Sequence, residues 1–132
     1  MYKDLPIDLA ALKKLYSEEL HQDPERAHQL MLQFYERMAE DPMLGFFFTG
    51  RDLIAVARKQ TEFFLKQAGG APSFSGKPPA QAHFHLPPIL PGHFDRRLKI
   101  LEQTLLENKI TQPGREAWLG FENAFRSVIV RD

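Results

Sequence analysis

Three polar side chains in this sequence stand where a ligand could be bound. Tyr35 and Gln60 each interrupt an apolar helical stripe, and His83 follows a loop of glycine, proline and serine over residues 69–79. A buried amide without a partner costs about 1–3 kcal/mol, and a buried phenolic hydroxyl also needs a partner. One polar ligand that contacts both Tyr35 and Gln60 would satisfy the two side chains together. The imidazole of His83 would hold a flat, apolar cofactor from the opposite side.

The segment around His83 needs support from outside itself. It covers about residues 80–86, nearly lacks an amphipathic stripe and is stopped by two prolines. An isolated helix this short is marginal in water, so a bond between its imidazole and a metal would stabilise it. Other interpretations stay open from the residues alone: loop histidines are usually solvated, Gln60 reaches water if its helix is rotated, and Tyr35 can pack at the edge of a core.

The elements that carry these residues are predicted to be helices. Asp23-Pro24 is a helix start, Asp41-Pro42 opens a short turn, Thr49 or Asp52 caps the next helix, and Gly69-Gly70 ends it. Pro91 and Pro113 open the last two helices. Apolar residues recur at spacings of three and four. The predicted inner faces are Leu9, Leu12 and Tyr16; Leu30, Met31, Phe34, Tyr35 and Met38; Leu53, Val56, Ala57, Gln60 and Phe64; Phe94, Leu98, Leu101 and Leu105; and Ala117, Trp118, Phe121, Phe125 and Val128.

Composition narrows the class of protein. The 132 residues predict a single domain over residues 1–132, and 43% hydrophobic residues with 11 phenylalanines predict a bulky aromatic core. Lys plus Arg and Asp plus Glu number 17 each, which gives no support to nucleic-acid binding. The absence of cysteine excludes thiolate catalysis and Cys-type metal sites. No apolar run reaches the roughly 18–20 residues of a membrane span, and the N-terminus lacks a signal-peptide core, so we expect a cytoplasmic protein without membrane partners.

Several motifs together resemble one family. They are Phe34-Tyr-Glu-Arg-Met before Asp41 and Phe46-Phe-Phe; Lys59-Gln-Thr-Glu-Phe-Phe before Gly69-Gly-Ala-Pro; Phe74-Ser-Gly-Lys-Pro; and His93-Phe-Asp. In this combination, from about Ala27 to Val130, the chain resembles the truncated haemoglobins, which are short globins of bacteria, plants and protists. The resemblance implies an all-α truncated globin fold in which two antiparallel helix pairs sandwich haem b (iron protoporphyrin IX).

The resemblance also implies a role for each site residue. His83 would bind the iron through one ring nitrogen, and Tyr35 and Gln60 would hydrogen-bond a diatomic ligand on the distal side. Phe48 would stack on the haem ring, and Val56 would be an apolar gate where larger globins carry a histidine. The full set implied to contact the cofactor is Phe48, Thr49, Val56, Lys59, Phe64, Phe74 and Arg97, with Thr49 and Lys59 near the propionates.

The chain departs from the family pattern at three places. Phe74 stands where tyrosine is usual, the turn over residues 86–89 holds one extra residue, and Arg97 replaces a valine or tryptophan at the haem edge. A buried arginine needs a partner such as a propionate, or else extends to solvent. His85 competes with His83, because residues two apart cannot share one helical face. Spacing from the preceding glycine favours His83.

The resemblance implies reversible binding or transport of dioxygen, with nitric oxide and carbon monoxide as further ligands. One alternative is a haem enzyme of the nitric oxide dioxygenase or peroxidase type. The sequence contains no reductase domain, so turnover would need an external reductase. A second alternative is a helical interaction module without haem. No residue is predicted to be catalytic in the sense of attacking a substrate.

Overall fold

The described part of the chain is helical, in a computed structural model that describes residues 6–70 and 87–131. This result confirms the all-α prediction. An isolated parallel bridge joins Ile89 to Val130. Among the described helices, none combines the length and the apolar character needed to cross a membrane. The helices are α1 (Leu9–Lys14, continued by a π-helical turn, Leu15–Glu19), α2 (Pro24–Glu40), a 3-10 turn (Gly45–Phe48), α3 (Leu53–Ala68), α4 (Pro91–Glu107), α5 (Gln112–Asn123) and α6 (Arg126–Ile129).

Short polar side chains begin the helices that carry the site. The Asp23 carboxylate accepts a hydrogen bond from the backbone N–H of Glu25 at 3.0 Å, with a proline at the start of α2. At α3 the cap is Asp52, which accepts from Ala55 at 3.2 Å, so Asp52 rather than Thr49 performs this role. Such caps satisfy N–H groups that have no partner inside the helix. The predicted starts of these two helices are therefore confirmed, and each is signalled by residues adjacent to the start.

Two further boundaries follow from particular residues. Gly69 ends α3 with φ at +88°, a left-handed conformation that glycine adopts without a steric cost. The backbone N–H of Leu90 donates to Nδ1 of His93 at 3.0 Å, which closes the first turn of α4.

The last long helix ends at Asn123, and a separate short helix, α6, follows. The single helix predicted through Val128 is thus two helices, and Val128 is 37% exposed.

Aromatic side chains fill the core between the helices, as the composition predicts. α2 packs against α3 and α4, while α5 packs against α4 and α1. Phe64 of α3 lies stacked on Trp118 of α5 with ring centroids 4.5 Å apart, and both side chains are fully buried. Phe121 meets Phe64 edge-on at 5.8 Å. Phe46 differs from its neighbours in the sequence because it is 50% exposed.

Candidate functional site

Three of the predicted site residues meet around Tyr35. This side chain extends from α2, is 5% exposed, and meets the edge of the Phe48 ring with centroids 5.7 Å apart. From α4, the guanidinium carbon of Arg97 lies 5.6 Å from the centroid of the Tyr35 ring and 4.9 Å from that of Phe34. Cations at such distances are attracted to the faces of aromatic rings. The fold therefore brings together Tyr35, Phe48 and Arg97 from three separate elements.

Arg97 has a protein partner for its charge. Its Nη2 donates to Oε2 of Glu122 on α5 at 2.7 Å, and the two side chains are 19% and 10% exposed. Its Nη1 contacts the sulfur of Met38 at 3.7 Å. The sequence left the partner of Arg97 open between a propionate and solvent. In the structure the guanidinium extends inward and its charge is balanced by Glu122.

The surroundings of Tyr35 keep its hydroxyl protonated at neutral pH. Burial raises the pKa of Tyr35 above its ordinary value; the Arg97 charge lowers it, and the Glu122 charge raises it. Burial alone would lower the pKa of Arg97, but its neighbours Tyr35 and Glu122 raise it above its usual value. Arg97 therefore remains a cation, and Tyr35 remains a neutral phenol that can donate a hydrogen bond.

The predicted pocket face of α3 is only partly buried. Val56 and Gln60 lie one turn apart and are both half-buried, whereas Phe64, one turn further on, is fully buried. Ala57, which was predicted on the same face, is buried, and so is Thr61, which was not predicted there. Val56 packs against the core from the edge of this buried face, and the contact of Val56 and Gln60 with a ligand stays a prediction.

The remaining predicted residues divide into two groups. Thr49 and Lys59 are exposed, and the ammonium of Lys59 lies 3.7 Å from a carboxylate oxygen of Glu62. Phe74 and His83 lie outside the described residues, as does His85. The loop aromatic and the metal ligand therefore stay predictions.

Glu122 was not among the residues predicted from the sequence. A signal for it existed, because Glu122 follows Trp118 by one helical turn and so lies on the apolar stripe of α5. A carboxylate on such a stripe needs a buried cation. The sequence also indicated that Arg97 needs a partner if it is buried. The ion pair between Arg97 and Glu122 therefore satisfies both side chains.

Comparison with known proteins places the chain in a family. A profile described as bacterial-like globin matches residues 19–130. The chain is 35% identical over 83 residues to group 1 truncated hemoglobin LI410 of Chlamydomonas moewusii, which covers 62% of this chain and 48% of that protein. It is 40% identical over 50 residues to group 1 truncated hemoglobin GlbN of Mycolicibacterium paratuberculosis (strain ATCC BAA-968 / K-10), covering 38% of this chain and 37% of that protein.

The two comparisons with individual proteins are partial, since the matched segments span about half or less of the length of each relative. The family profile, by contrast, runs from the π-helical turn after α1 to the end of α6. It includes α2, α3, α4 and α5, the four helices that carry Tyr35, Gln60, Arg97 and Glu122. The chain therefore belongs to the bacterial-like globin family, and its helices form an all-α truncated globin.

Proposed function

We propose that this globin binds haem b and, through it, reversibly binds dioxygen and other diatomic gases such as nitric oxide and carbon monoxide. The observation that carries the proposal is the buried phenol of Tyr35, set between Phe48 and Arg97 in a chain of the globin family. When bound, haem supplies an iron atom that takes a diatomic gas as a ligand. The protein supplies the axial ligand, the walls and the polar contacts.

The described side chains fit a flat apolar group with a polar edge. Phe48 and Val56 are half-buried, so each retains apolar surface that a ring system could cover. Behind them, Phe64 is held by its stacking on Trp118 and supports the wall. Thr49 and Lys59 are exposed polar residues that suit the carboxylates of a haem edge. Phe74 would complete the walls.

The distal hydrogen bonds are assigned to Tyr35 and Gln60. A phenolic O–H and an amide N–H both donate, and a diatomic ligand that carries partial negative charge accepts. A hydrogen bond to a charged group is worth about 1.5–3 kcal/mol, so these donors favour dioxygen over carbon monoxide, which is less polar when bound. Arg97 would form part of the same wall, with its charge already balanced by Glu122.

The axial ligand is assigned to His83. An imidazole binds iron through one ring nitrogen, and a hydrogen bond from the other nitrogen to an acceptor fixes the ring. His85 is the competing candidate, since only one of two residues at this spacing can face the metal.

Ultraviolet–visible spectra of the purified protein test these assignments. We expect a ferric haem spectrum, and a shifted ferrous spectrum on adding carbon monoxide. His83→Ala should abolish stable haem retention, whereas His85→Ala should leave haem bound. If the two variants behaved the other way round, the axial assignment would be wrong. A colourless protein that takes up no added haem would instead favour the helical interaction module.

A further inference from the structure

His28 is a buried histidine with one ring nitrogen that lacks a partner. Its side chain extends from α2 and is 5% exposed. In the part of the chain that the structure describes, no hydrogen-bond partner lies within reach of its buried Nδ1 atom. We propose that His28 is a pH switch at the junction of α2 and α3: these helices pack around a neutral imidazole, and acidification loosens the pair that carries Tyr35 and Gln60.

An ion pair joins the two helices beside His28. Glu25, one turn earlier on α2, accepts a hydrogen bond from Nη1 of Arg58 on α3 at 2.8 Å. Residues three or seven positions apart share one face of a helix, so Glu25, His28 and Tyr35 lie on one stripe of α2. His28 therefore lies along α2 between the contact with α3 and the phenol of the candidate site.

The surroundings of His28 disfavour a positive charge on its ring. A protonated imidazole is a donor at both nitrogens, and its Nδ1–H would be buried without an acceptor. The charged groups that face the ring are Arg58 from α3 and Glu25 from α2 itself. Burial and, after it, the charge of Arg58 lower the pKa of His28 below its ordinary value, against the charge of Glu25 and the backbone of Ala57. The folded chain therefore holds His28 as a neutral imidazole at neutral pH.

This preference makes the stability of the junction depend on pH in a defined direction. Above the ordinary histidine pKa of 6.5, His28 is neutral in the folded and the unfolded chain, so the junction is fully stabilised. As the pH falls below that value, the unfolded chain binds a proton that the folded chain excludes. The folded state therefore loses stability until the pH reaches the lower, folded pKa. Carboxyl groups have ordinary pKa values of about 4, so the range from about pH 7.5 to about pH 5.5 reports on histidines.

The first test measures the pKa of His28 in the protein as purified. The chain has five histidines, so nitrogen-15 labelling of their rings gives few NMR signals, and His28→Gln identifies the relevant one. We expect a titration midpoint below 6.5. Arg58→Met should raise the midpoint, because a positive charge is lost, and Glu25→Gln should lower it, because a negative charge is lost. A wild-type midpoint at or above 6.5, or a shift in the same direction in both variants, overturns the proposal.

The second test measures urea denaturation of wild type and His28→Gln between about pH 7.5 and about pH 5.5. Glutamine is polar and stays neutral throughout. Below pH 6.5 the equilibrium constant for unfolding of wild type should increase, relative to that of His28→Gln, by up to about tenfold for each pH unit, since one proton is bound on unfolding. Equal pH dependence of the two proteins overturns the proposal. If circular dichroism shows that His28→Gln is unfolded, the histidine signal that shifts in Arg58→Met identifies His28, and its wild-type midpoint decides alone.

His21→Asn is the matched control. His21 is an exposed histidine with φ at +56°, a conformation that asparagine tolerates. We expect this variant to keep the wild-type dependence of stability on pH. A loss of that dependence as large as the loss in His28→Gln would overturn the assignment of the switch to the buried ring.

The effect on gas binding rests on the proposed function. When the haem-loaded protein is moved from about pH 7.5 to about pH 5.5, dioxygen release should speed up more in wild type than in His28→Gln, because the helices that carry Tyr35 and Gln60 loosen. Equal acceleration in the two proteins would overturn the link from His28 to the ligand pocket. A wild-type protein that takes up no haem would overturn the proposed function instead, while the pKa and urea results would stand.

Discussion

Asp41 is the most completely satisfied carboxylate near the candidate site. Its side chain is 5% exposed and accepts from Nε and Nη2 of Arg96 at 2.9 and 2.7 Å. It also accepts from the backbone N–H groups of Met43 and Leu44 at 3.0 and 3.2 Å. The hydrogen bond from Arg96 holds the pKa of Asp41 below its ordinary value, although burial opposes this. The carboxylate thereby ties α4 to the turn that leads to Phe48.

We predict that Asp41→Asn lowers the free energy of unfolding at neutral pH by about 1–3 kcal/mol, since Arg96 loses a charged partner. A carboxyl group whose pKa is depressed by folding stabilises the protein above its ordinary pKa, here 3.8. That contribution is lost as the pH falls through the lower, folded value. Urea denaturation at a series of pH values from neutral to acidic should therefore show wild type and variant converging at the acidic end.

Asp95→Asn is the control for this prediction. Asp95 pairs with Arg126 at the surface, where its side chain is 62% exposed, and exposed ion pairs contribute little. We expect Asp95→Asn to change the free energy of unfolding only slightly at neutral pH. A stability difference between wild type and Asp41→Asn that remained constant down to acidic pH would show that the charge of Asp41 is not the cause.

The sequence could identify those site residues that differ in polarity from their neighbours on the same helical face. Tyr35 and Arg97 each interrupt an apolar helical pattern, and this is visible within one or two turns of helix. The pairing of Arg97 with Glu122 spans 25 residues and depends on how α4 crosses α5. The apolar periodicity of each helix does not determine how α4 and α5 cross. The pairing of Arg97 with Glu122 could therefore be identified only in the folded chain.

At the scale of elements, the start of α5 is stabilised by Glu19, a residue far from it in the sequence. The Glu19 carboxylate accepts from the backbone N–H of Thr111 at 2.7 Å and from its hydroxyl at 2.8 Å. A negative charge at a helix N-terminus is favourable because the first N–H groups carry partial positive charge. Gly114 makes room for this contact: a Cβ added there would overlap Glu19 and lie 2.8 Å from Cγ2 of Ile110.

We predict opposite effects for two glycine substitutions in α5. Gly114→Ala should lower the free energy of unfolding by about 1–3 kcal/mol, because the added methyl group forces Glu19 and Ile110 to move. Gly120→Ala has nothing within 4 Å of its new Cβ and should raise the free energy of unfolding by about 0.5–1 kcal/mol, since alanine favours helix. Urea denaturation measures both. If both variants were more stable than wild type, Glu19 would be free to leave the helix start at little cost.

Helix boundaries could be predicted better than the full set of residues that a helix buries. The caps at Asp23 and Asp52 are signals carried by adjacent residues. The stripe predicted for α3 includes Ala57 and Phe64, which are buried, but it omits Thr61. The structure also buries Thr61, whose hydroxyl donates to the carbonyl oxygen of Ala57 at 2.7 Å. A hydroxyl that is satisfied within its own helix can be buried at little energetic cost, so the polarity of Thr61 did not show that it belongs to the core.

At the scale of the whole molecule, the candidate pocket is assembled from several elements against a stiff aromatic core. Tyr35 comes from α2, Phe48 from the 3-10 turn, Val56 and Gln60 from α3, and Arg97 from α4. In the core, the ring of Phe64 on α3 packs against the rings of Trp118 and Phe121 on α5. Closely packed interiors deform little, so donors mounted on them keep their positions. This arrangement suits selective binding of a small polar ligand.

The same arrangement bears on whether the protein is a binder or an enzyme. Val56 is an apolar, half-buried residue on the predicted distal face, where the proposed function has apolar gases such as nitric oxide enter. Nitric oxide that meets dioxygen held there would be oxidised to nitrate, with one electron from an external reductase needed for each further turnover. Most globins that hold dioxygen react in this way to some degree, so the reaction alone does not establish a role.

We predict binding rather than sustained turnover. When the haem- and dioxygen-loaded protein receives nitric oxide together with a flavin reductase, we expect a single stoichiometric burst of nitrate per haem, followed by slow re-reduction of ferric iron. The measurement is the nitrate yield per haem over time, with a parallel sample that lacks the reductase. Similar yields in the two samples would agree with ligand binding. Many turnovers that depend on the reductase would contradict the prediction and make a nitric oxide dioxygenase the better description of this globin.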